Sequence, residues 1–281
     1  MSTENHPCFA DKIALIFGGG NGIGRAIALE FARRGARVAV ADIDADGALE
    51  TVASITAAGG KAAAYSCDVT NDDSMRETVE QAGLQFGDVD IVVNNVGVIV
   101  SGNPEDVPPQ EWQRIIDLNL MPVVRSNHIF LPKLLQRGSG HIVNTASFSG
   151  LYPYASNRIP YAASKAAVVA LSESLALYLE PKGVRVSCFC PGPVMTNVMK
   201  SMKSWSDNAV MSGPGSQFGL LSAEQAAVVL ADGMEAGRIF IPTHDHVLEA
   251  MQEHAADPDA FIRRKISDIA SGELGLPQRP R

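Results

Sequence analysis

A serine, a tyrosine and a lysine lie in this chain at a spacing that could move a proton to or from a carbonyl oxygen. Tyr161 and Lys165 are four residues apart, so on a helix they share one face. A free phenol has a pKa near ~10, and a neighbouring ammonium favours its charged form. Ser147 follows the apolar segment 140–145 and could hydrogen-bond the same oxygen. The pattern indicates acid–base chemistry with Tyr161 as the proton carrier.

A glycine-rich turn follows the first apolar segment, 12–17, and opens a helical pattern. Glycines at such a turn let the backbone approach a pyrophosphate, whose charge is met by the N-terminus of the helix. The literal G-x-G-x-x-G pattern is absent, and a longer variant takes its place. A glycine-rich turn without a ligand is the alternative. The candidate cofactor contacts here are Gly18, Asn21, Gly22, Ile23 and Gly24.

The next two predicted strands are followed by acidic residues at the same edge of the sheet. Asp42 could accept hydrogen bonds from an adenosine ribose and would repel a 2′-phosphate, and no Lys or Arg stands next to it. NAD is therefore favoured over NADP, although a turn aspartate is the plain alternative. Asp68 could reach the adenine or could cap a helix. The adjacent candidates are Ile43 and Val69.

Apolar strand-like runs alternate with amphipathic helical patterns along the chain, which predicts an α/β fold with a doubly wound parallel sheet. The predicted strands are 12–17, 37–42, 61–66, 89–94, 140–145, 184–190 and 238–242. The predicted helices are 22–34, 45–58, 71–86, 110–136, 158–180 and 222–236.

The 281 residues predict a single domain over 1–281 with a core at about 10–242. The irregular segment at about 193–220 is expected to be a substrate lid. In the extension 243–281, Asp257 and Pro258 predict the start of a helix, and the proline-containing tail from residue 272 is expected to be mobile.

The net charge and composition of the chain limit the classes of partner that are expected. A net charge of −8 argues against a nucleic-acid or anionic-membrane surface, so a small-molecule substrate is expected. The four cysteines lack the spacing of a zinc site or a redox pair. The start of the chain has no apolar signal core, and the apolar runs are shorter than the roughly 18 residues of a membrane span. A cytoplasmic protein with reduced thiols is predicted. His244 and His246 lack a third ligand, so no metal site is expected.

Taken together, these motifs resemble the short-chain dehydrogenase/reductase family over roughly residues 10 to 242. Its glycine motif corresponds to the turn at 18–24, its Asn-Asn-Ala-Gly motif to 94–97, and its Pro-Gly segment to 191–192. The family has a Rossmann-type fold with a seven-stranded sheet. Its catalytic tetrad falls on Asn119, Ser147, Tyr161 and Lys165. The resemblance implies further cofactor contacts at Asn95, Tyr161, Lys165, Pro191, Gly192, Val194 and Thr196.

The resemblance implies an NAD-dependent oxidoreductase that transfers a hydride between the cofactor and a secondary alcohol or ketone. Tyr161 would be the acid/base and Ser147 would hold the substrate oxygen. Lys165 would lower the phenol pKa and bind the nicotinamide ribose, and Asn119 would hold a water that links Lys165 to solvent. A homo-oligomer, dimer or tetramer, is also implied.

The chain departs from the family pattern at four points. Phe17 replaces a threonine before the glycine turn, so the hydrogen bonds of that turn must be made differently. Val96 replaces an alanine, and the gap between Ser147 and Tyr161 is one residue longer than in many members. The chain also continues for 35 residues after His246, which puts the usual tetramer interface in doubt.

The apolar residues of the predicted lid and of the loop after Ser147 predict a hydrophobic, aromatic or cyclic substrate. Three methionines would share one face of a helix in the lid, and further apolar residues would add walls. Two other functions stay open: an NADP-linked 3-oxoacyl reductase, which Asp42 disfavours, and a non-catalytic NAD-binding protein. The predicted lid and wall residues are Met195, Met199, Met202, Trp205, Phe218, Phe148, Leu151 and Tyr152.

Overall fold

The computed structural model describes residues 8–196 and 202–277. Its β-strands are numbered in chain order, and each pair of neighbouring strands among the described residues is parallel. The strands are β1 Ile13–Phe17, β2 Arg37–Asp42, β3 Lys61–Ser66, β4 Ile91–Asn94, β5 Val100–Ser101, β6 Gly140–Thr145, β7 Val184–Cys190, β8 Lys203–Ser204 and β9 Phe240–Pro242.

Seven of these strands form one sheet in the order β3-β2-β1-β4-β6-β7-β9, and β5 pairs with β8 in a separate small sheet. The predicted doubly wound, seven-stranded sheet is therefore confirmed. The chain extends the sheet in one direction from β1 to β3 and in the other from β4 to β9. The carboxyl ends of β1 and β4 flank the point of reversal, where open α/β sheets form a ligand crevice.

Helices cover both faces of the sheet. Side chains alternate along β1, so Ile16 packs on one face with Ile27 and Leu230, while Leu15 packs on the other with Phe130. The helices are α1 Gly22–Arg33, α2 Ala45–Ala57, α3 Asp72–Phe86, α4 Pro109–Asn119, α5 Met121–Arg137, α6 Ile159–Leu179, α7 Ala223–Glu235, α8 Val247–Ala256 and α9 Pro258–Ser271.

The single helix predicted over 110–136 is two helices with a break at Leu120. Pro122 has no N–H to donate, and the Val123 N–H donates to the carbonyl of Leu120 at 3.0 Å, not to that of Asn119. The proline thus ends one hydrogen-bonded run and starts another. This break lies directly after Asn119, one of the candidate site residues.

The C-terminal extension forms two helices, α8 and α9. The predicted start of α9 is confirmed, because the Asp257 carboxylate accepts a hydrogen bond from the Ala260 N–H at 2.9 Å. The tail was expected to be mobile, but its residues 273–277 pack against the irregular segment before α7. Gly213 donates to the Leu274 carbonyl at 2.7 Å, and Gly215 donates to the Gly275 carbonyl at 3.0 Å.

Within residues 8–196 and 202–277, the helical stretch Ile159–Lys182 is long and apolar enough to cross a membrane by length and composition alone. This criterion rests on mean hydropathy and admits polar residues, so it does not require the uninterrupted apolar run that the sequence lacks. The stretch packs against β7 and α4, and it carries the buried side chain of Lys165. These contacts are those of a core helix.

Candidate active site

The glycine turn between β1 and α1 brings two backbone segments together. Gly18 has a φ of +77°, and a Cβ added at Gly24 would lie 1.8 Å from the Gly18 carbonyl oxygen. Only glycine at position 24 allows α1 to begin so close to the turn. The turn therefore leaves its backbone and the first turn of α1 exposed to the crevice.

Hydrogen bonds from neighbouring segments fix the shape of the turn. They take the place of those that a threonine would make at the position of Phe17. The Gly18 N–H donates to the Ala41 carbonyl at 2.8 Å, and the Thr51 hydroxyl donates to the Gly19 carbonyl at 3.1 Å. Thr51 is buried in α2 and was not among the predicted site residues. Its position one helix away from the turn carries no signal in the sequence.

Asp42 stands at the end of β2 beside the glycine turn. One carboxylate oxygen accepts from the Gly20 N–H at 2.8 Å, and the other accepts from the Asp44 N–H at 3.0 Å. A carboxylate has about four acceptor positions, so both oxygens can accept further hydrogen bonds. Ile43 next to it is 72% exposed and presents an apolar surface at the same end of the cleft.

Asp68 and Asn95 both tie neighbouring segments together at this edge. Asp68 accepts from the Thr70 N–H at 2.9 Å, which closes a turn, while the side chain that caps α3 belongs to Asn71. Asn95 donates to the Gly18 carbonyl at 3.2 Å and accepts from the Thr145 hydroxyl at 3.2 Å. Asn95 thereby connects the ends of β1, β4 and β6.

The structure brings Ser147, Tyr161 and Lys165 together at the carboxyl end of β6. The Ser147 side chain lies near enough to the Tyr161 phenol to lower its pKa. The Lys165 ammonium lies 5.9 Å from the centroid of the Tyr161 ring and donates to the Thr145 carbonyl at 2.8 Å. All three side chains are at least nine-tenths buried. A hydroxyl, a phenol and an ammonium thus meet in a poorly hydrated place.

Burial dominates the protonation of this group. It raises the pKa of Tyr161 to about 12, against a lowering by the Ser147 side chain, and it lowers the pKa of Lys165 to about 8. Among the neighbouring ionisable groups, Tyr154 raises the pKa of Tyr161 and Arg158 lowers it.

Asn119 is buried and lies behind the cleft wall instead of in it. Its amide oxygen accepts from the Val98 N–H at 2.8 Å, and its amide nitrogen donates to the Val98 carbonyl and to the Ser164 hydroxyl, each at 3.0 Å. The side chain thus joins the loop after β4 to α6. Gly97 in that loop lies against the Lys165 ammonium, so Asn119 positions the wall beside Lys165.

One cleft of about 970 Å³ runs along the carboxyl ends of the strands. Of the predicted site residues, Gly24 and Asn119 do not line it. The predicted residues that do are Gly18, Asn21, Gly22, Ile23, Asp42, Ile43, Asp68, Val69, Asn95, Ser147, Tyr161, Lys165, Pro191, Gly192, Val194 and Thr196.

Several predicted apolar walls are core residues and do not line the cleft. Phe148 is fully buried, with its ring 5.3 Å from the ring of Phe218 and 5.7 Å from that of His244. His244 uses both ring nitrogens, with the Thr243 hydroxyl at 3.0 Å and the Gly219 carbonyl at 2.9 Å. The other predicted wall residues absent from the cleft lining are Leu151, Tyr152, Trp205 and Phe218.

The predicted methionine stripe does not line the cleft either. Met195 faces a smaller cleft beside α1, Met202 precedes the short strand β8, and Met199 falls outside the described residues. Sequence patterns did not predict the residues that line the cleft near Tyr161, because these residues lie in irregular segments without periodicity. These walls are Ser149, Tyr154, Arg158, Met211, Ser212, Gly213, Pro214, Leu220, Leu276 and Pro277.

Comparison with known proteins identifies the class that this fold and cleft define. The chain matches the family model for short chain dehydrogenases over residues 12–207, more than half of its length. The protein belongs to the short-chain dehydrogenase/reductase family. It is therefore an oxidoreductase of a family that binds a nicotinamide cofactor and acts on small molecules.

Individual relatives act on ring alcohols. The chain is 39% identical to a cyclohexanol dehydrogenase of Acinetobacter sp. (strain SE19) over 67% of this chain and 75% of that protein. It is 36% identical to a 2,5-dichloro-2,5-cyclohexadiene-1,4-diol dehydrogenase of Sphingobium indicum over 67% and 77%. A short-chain dehydrogenase/reductase from Burkholderia phymatum, solved in complex with NAD, has a TM-score of 0.79 at 28% identity over 90% and 95%.

The crevice has the features that a dinucleotide needs. Gly18, Asn21 and Gly22 line the cleft where α1 begins, and the N-terminus of this helix could meet the charge of a pyrophosphate. Carboxylates at the ends of β2 and β3 lie at one end of the cleft, and the buried phenol and ammonium lie at the other. The carboxylates and the buried phenol and ammonium are thus separated along one cleft, an arrangement that would suit the two ends of a dinucleotide.

Proposed function

We propose that this protein is an NAD-dependent dehydrogenase of cyclic secondary alcohols, which also reduces the corresponding ketones. The observation that carries the proposal is the lining of one cleft by Tyr161, Ser147 and Lys165 at one end and Asp42 at the other. The names of two relatives, a cyclohexanol dehydrogenase and a cyclohexadienediol dehydrogenase, support a ring alcohol as the substrate.

In alcohol oxidation, Tyr161 takes the hydroxyl proton and Ser147 holds the substrate oxygen as a preorganised donor. Because burial is the main cause that keeps the pKa of Tyr161 high, a positive charge beside the phenol would help it to lose its proton. The cofactor, when bound in its oxidised form, accepts the hydride and brings a positive nicotinamide ring. Lys165 donates one hydrogen bond to the Thr145 carbonyl, and its remaining hydrogens would bind the hydroxyls of the nicotinamide ribose.

Asn119 is a positioning residue in this scheme. Its side chain holds the loop that touches Lys165, and the adjacent break at Leu120 turns the Val123 N–H away from the Asn119 carbonyl. We expect the predicted water that would connect Lys165 to solvent to be bound by the backbone at this break, since the amide nitrogen already donates both its hydrogens.

The choice of NAD depends on Asp42, whose two oxygens face the expected ribose site. The Asp42→Ala variant should raise the ratio of NADP to NAD efficiency by about tenfold or more, because a repelling charge and a ribose acceptor are removed together. The measurement is kcat/KM for both dinucleotides. Asp46→Ala is the matched control, because Asp46 is an exposed carboxylate of α2 outside the cleft. A wild-type protein that already prefers NADP would contradict the assignment.

The activity itself is tested by following NADH formation with a panel of secondary alcohols: cyclohexanol, aryl carbinols, steroid alcohols and terpenoid alcohols. We expect turnover with ring alcohols and NAD, because the substrate end of the cleft is walled largely by apolar groups. Absence of turnover on every member with either dinucleotide, in protein that binds NAD, would favour the non-catalytic binding protein.

An NADP-linked 3-oxoacyl reductase is the second candidate enzyme, and the acidic end of the cleft argues against it. Asp42, Asp44 and Asp68 line that end, where a 2′-phosphate would meet only carboxylates among the charged lining residues. We further propose that the chain is one domain, that it works as a homo-oligomer and that it is cytoplasmic. The four free cysteines support the last point.

A further inference from the structure

Deepening the proposed function on which it rests, we infer that Arg158 binds a carboxylate on the substrate, so that the preferred substrates are cyclic secondary alcohols bearing an acid group. Arg158 is the residue before α6 and lines the cleft three residues ahead of Tyr161. Tyr161 lines the same cleft, so a group bound by Arg158 lies near the oxygen on which Tyr161 acts.

Arg158 lacks a partner of opposite charge in the part of the chain that the structure describes. One terminal nitrogen donates to the Ser212 carbonyl, and Nε is shielded from solvent without a hydrogen-bond partner. Some other arginines are paired with carboxylates, as Arg34 is with Glu30 and Arg125 is with Asp72, whereas Arg37 and Arg185 on the sheet itself donate to backbone carbonyls outside the cleft. A partly buried guanidinium without a carboxylate is costly unless a ligand supplies one.

The surroundings hold the guanidinium in place and favour an anion. Its carbon lies 5.7 Å from the centroid of the Tyr154 ring, and the Ser212 hydroxyl donates to the Tyr154 carbonyl at 2.7 Å. Apolar side chains such as Met211 and Leu276 line the same end of the cleft. In a poorly hydrated site, an arginine and a carboxylate form two parallel charge-assisted hydrogen bonds.

The charges of the cleft are separated in a way that suits such a substrate. The lining carboxylates Asp42, Asp44 and Asp68 all follow β2 or β3, at the far end from Tyr161. At the reaction end, the charged lining residues among those described are Lys165 and Arg158. Lys165 already has the Thr145 carbonyl and the expected ribose, which leaves Arg158 for the substrate.

The chemistry of the step is unchanged by the acid group. The carbinol C–H bond breaks and its electron pair leaves as a hydride to the oxidised nicotinamide, while the hydroxyl proton goes to Tyr161. The alcohol is oxidised to a ketone and the cofactor is reduced. The carboxylate on Arg158 stays ionised and fixes which ring carbon faces the cofactor.

The test compares 3-hydroxycyclohexanecarboxylate with its carboxamide, which has nearly the same shape and no charge. Wild-type protein should show a kcat/KM for the acid that is higher by about tenfold or more. In the Arg158→Gln variant, the value for the acid should fall by about tenfold to a hundredfold more than that for the amide, which loses only the effect of the Arg158 charge on the Tyr161 pKa. Arg158→Lys should keep part of the preference because it keeps the charge.

Arg76→Gln is the matched control, since it makes the same charge change on an exposed residue of α3 outside the cleft. It should leave the preference for the acid intact. Equal efficiency on both compounds in the wild type, or an equal loss on both in Arg158→Gln, would overturn the inference. A melting curve and the affinity for NADH establish that each variant is folded.

A binding measurement separates this inference from the proposed function. Cyclohexanecarboxylate, which cannot be oxidised at a carbinol, is titrated into the protein with NADH by calorimetry, with cyclohexanecarboxamide as the neutral probe. Tighter binding of the acid that disappears in Arg158→Gln supports the anion site even if no alcohol is turned over. Equal binding of both probes, or equal binding by both proteins, rejects it even if cyclohexanol is oxidised.

Discussion

Replacement of Tyr161 by phenylalanine is expected to lower kcat for alcohol oxidation by about a hundredfold to ten thousandfold. The change removes the phenol oxygen that carries the proton and keeps the ring that packs in α6. The dinucleotide affinity should stay within about fivefold of the wild type, because loss of one neutral hydrogen bond costs only about 1 kcal/mol. Turnover and equilibrium cofactor binding are measured on the same preparation.

The pH profile gives a second readout for Tyr161. Oxidation requires the phenolate, so the rate of the wild-type protein should rise with pH as Tyr161 loses its proton, and the variant should lose this rise. Tyr178→Phe is the matched control, since Tyr178 is a half-exposed residue of the same helix. Near wild-type turnover in Tyr161→Phe would remove Tyr161 from the reaction.

Replacement of Gly24 by alanine is expected to weaken dinucleotide binding by about a hundredfold or more. The new Cβ would lie 1.8 Å from the Gly18 carbonyl oxygen and 2.6 Å from the Asn95 amide nitrogen. No side-chain rotation relieves a Cβ clash, so the backbone of the turn must move. Such overpacking costs about 1–3 kcal/mol of stability. Thermal unfolding and a fluorescence titration with NADH measure the two effects.

Gly83→Ala is the control for the glycine substitution. Gly83 lies inside α3, and a Cβ added there would have no heavy atom within 4 Å. The change should stabilise the protein by about 0.5–1 kcal/mol, because alanine loses less backbone freedom in a helix than glycine does. Cofactor affinity should not change. A Gly24→Ala protein that binds NADH like the wild type would show that the turn does not hold the pyrophosphate.

Much of the cofactor end could be predicted because its signals are local. The apolar runs that were predicted as strands form β1, β2, β4 and β6 in the structure. Parallel strands place their carboxyl ends at one edge of the sheet. Asp42 and Ser147 each follow such a strand, so their presence in one cleft follows from strand order. Tyr161 and Lys165 lie on one helix, and the helical repeat places them together.

The substrate end could not be predicted in the same way. Its walls at 211–214 and at 276–277 belong to segments without helical or strand periodicity, and they meet only through backbone hydrogen bonds between Gly213 and Leu274 and between Gly215 and Gly275. Hydrophobicity alone assigned Phe148 and Trp205 to the cleft, whereas packing placed them outside its lining. Composition cannot distinguish a wall residue from a core residue.

By itself, the sequence determined the order and type of the sheet elements, the glycine turn, and the family to which the chain belongs. These properties depend on residues close together in the chain, where spacing and periodicity carry the physical information. Only the tertiary structure decided that the Thr51 hydroxyl bonds the glycine turn and that the Asn119 side chain bonds the backbone of Val98. It also placed Arg158 in the cleft without a carboxylate partner among the described residues. Each of these depends on contacts between distant segments, and the free energy of such contacts is decided by burial and geometry that no local pattern records.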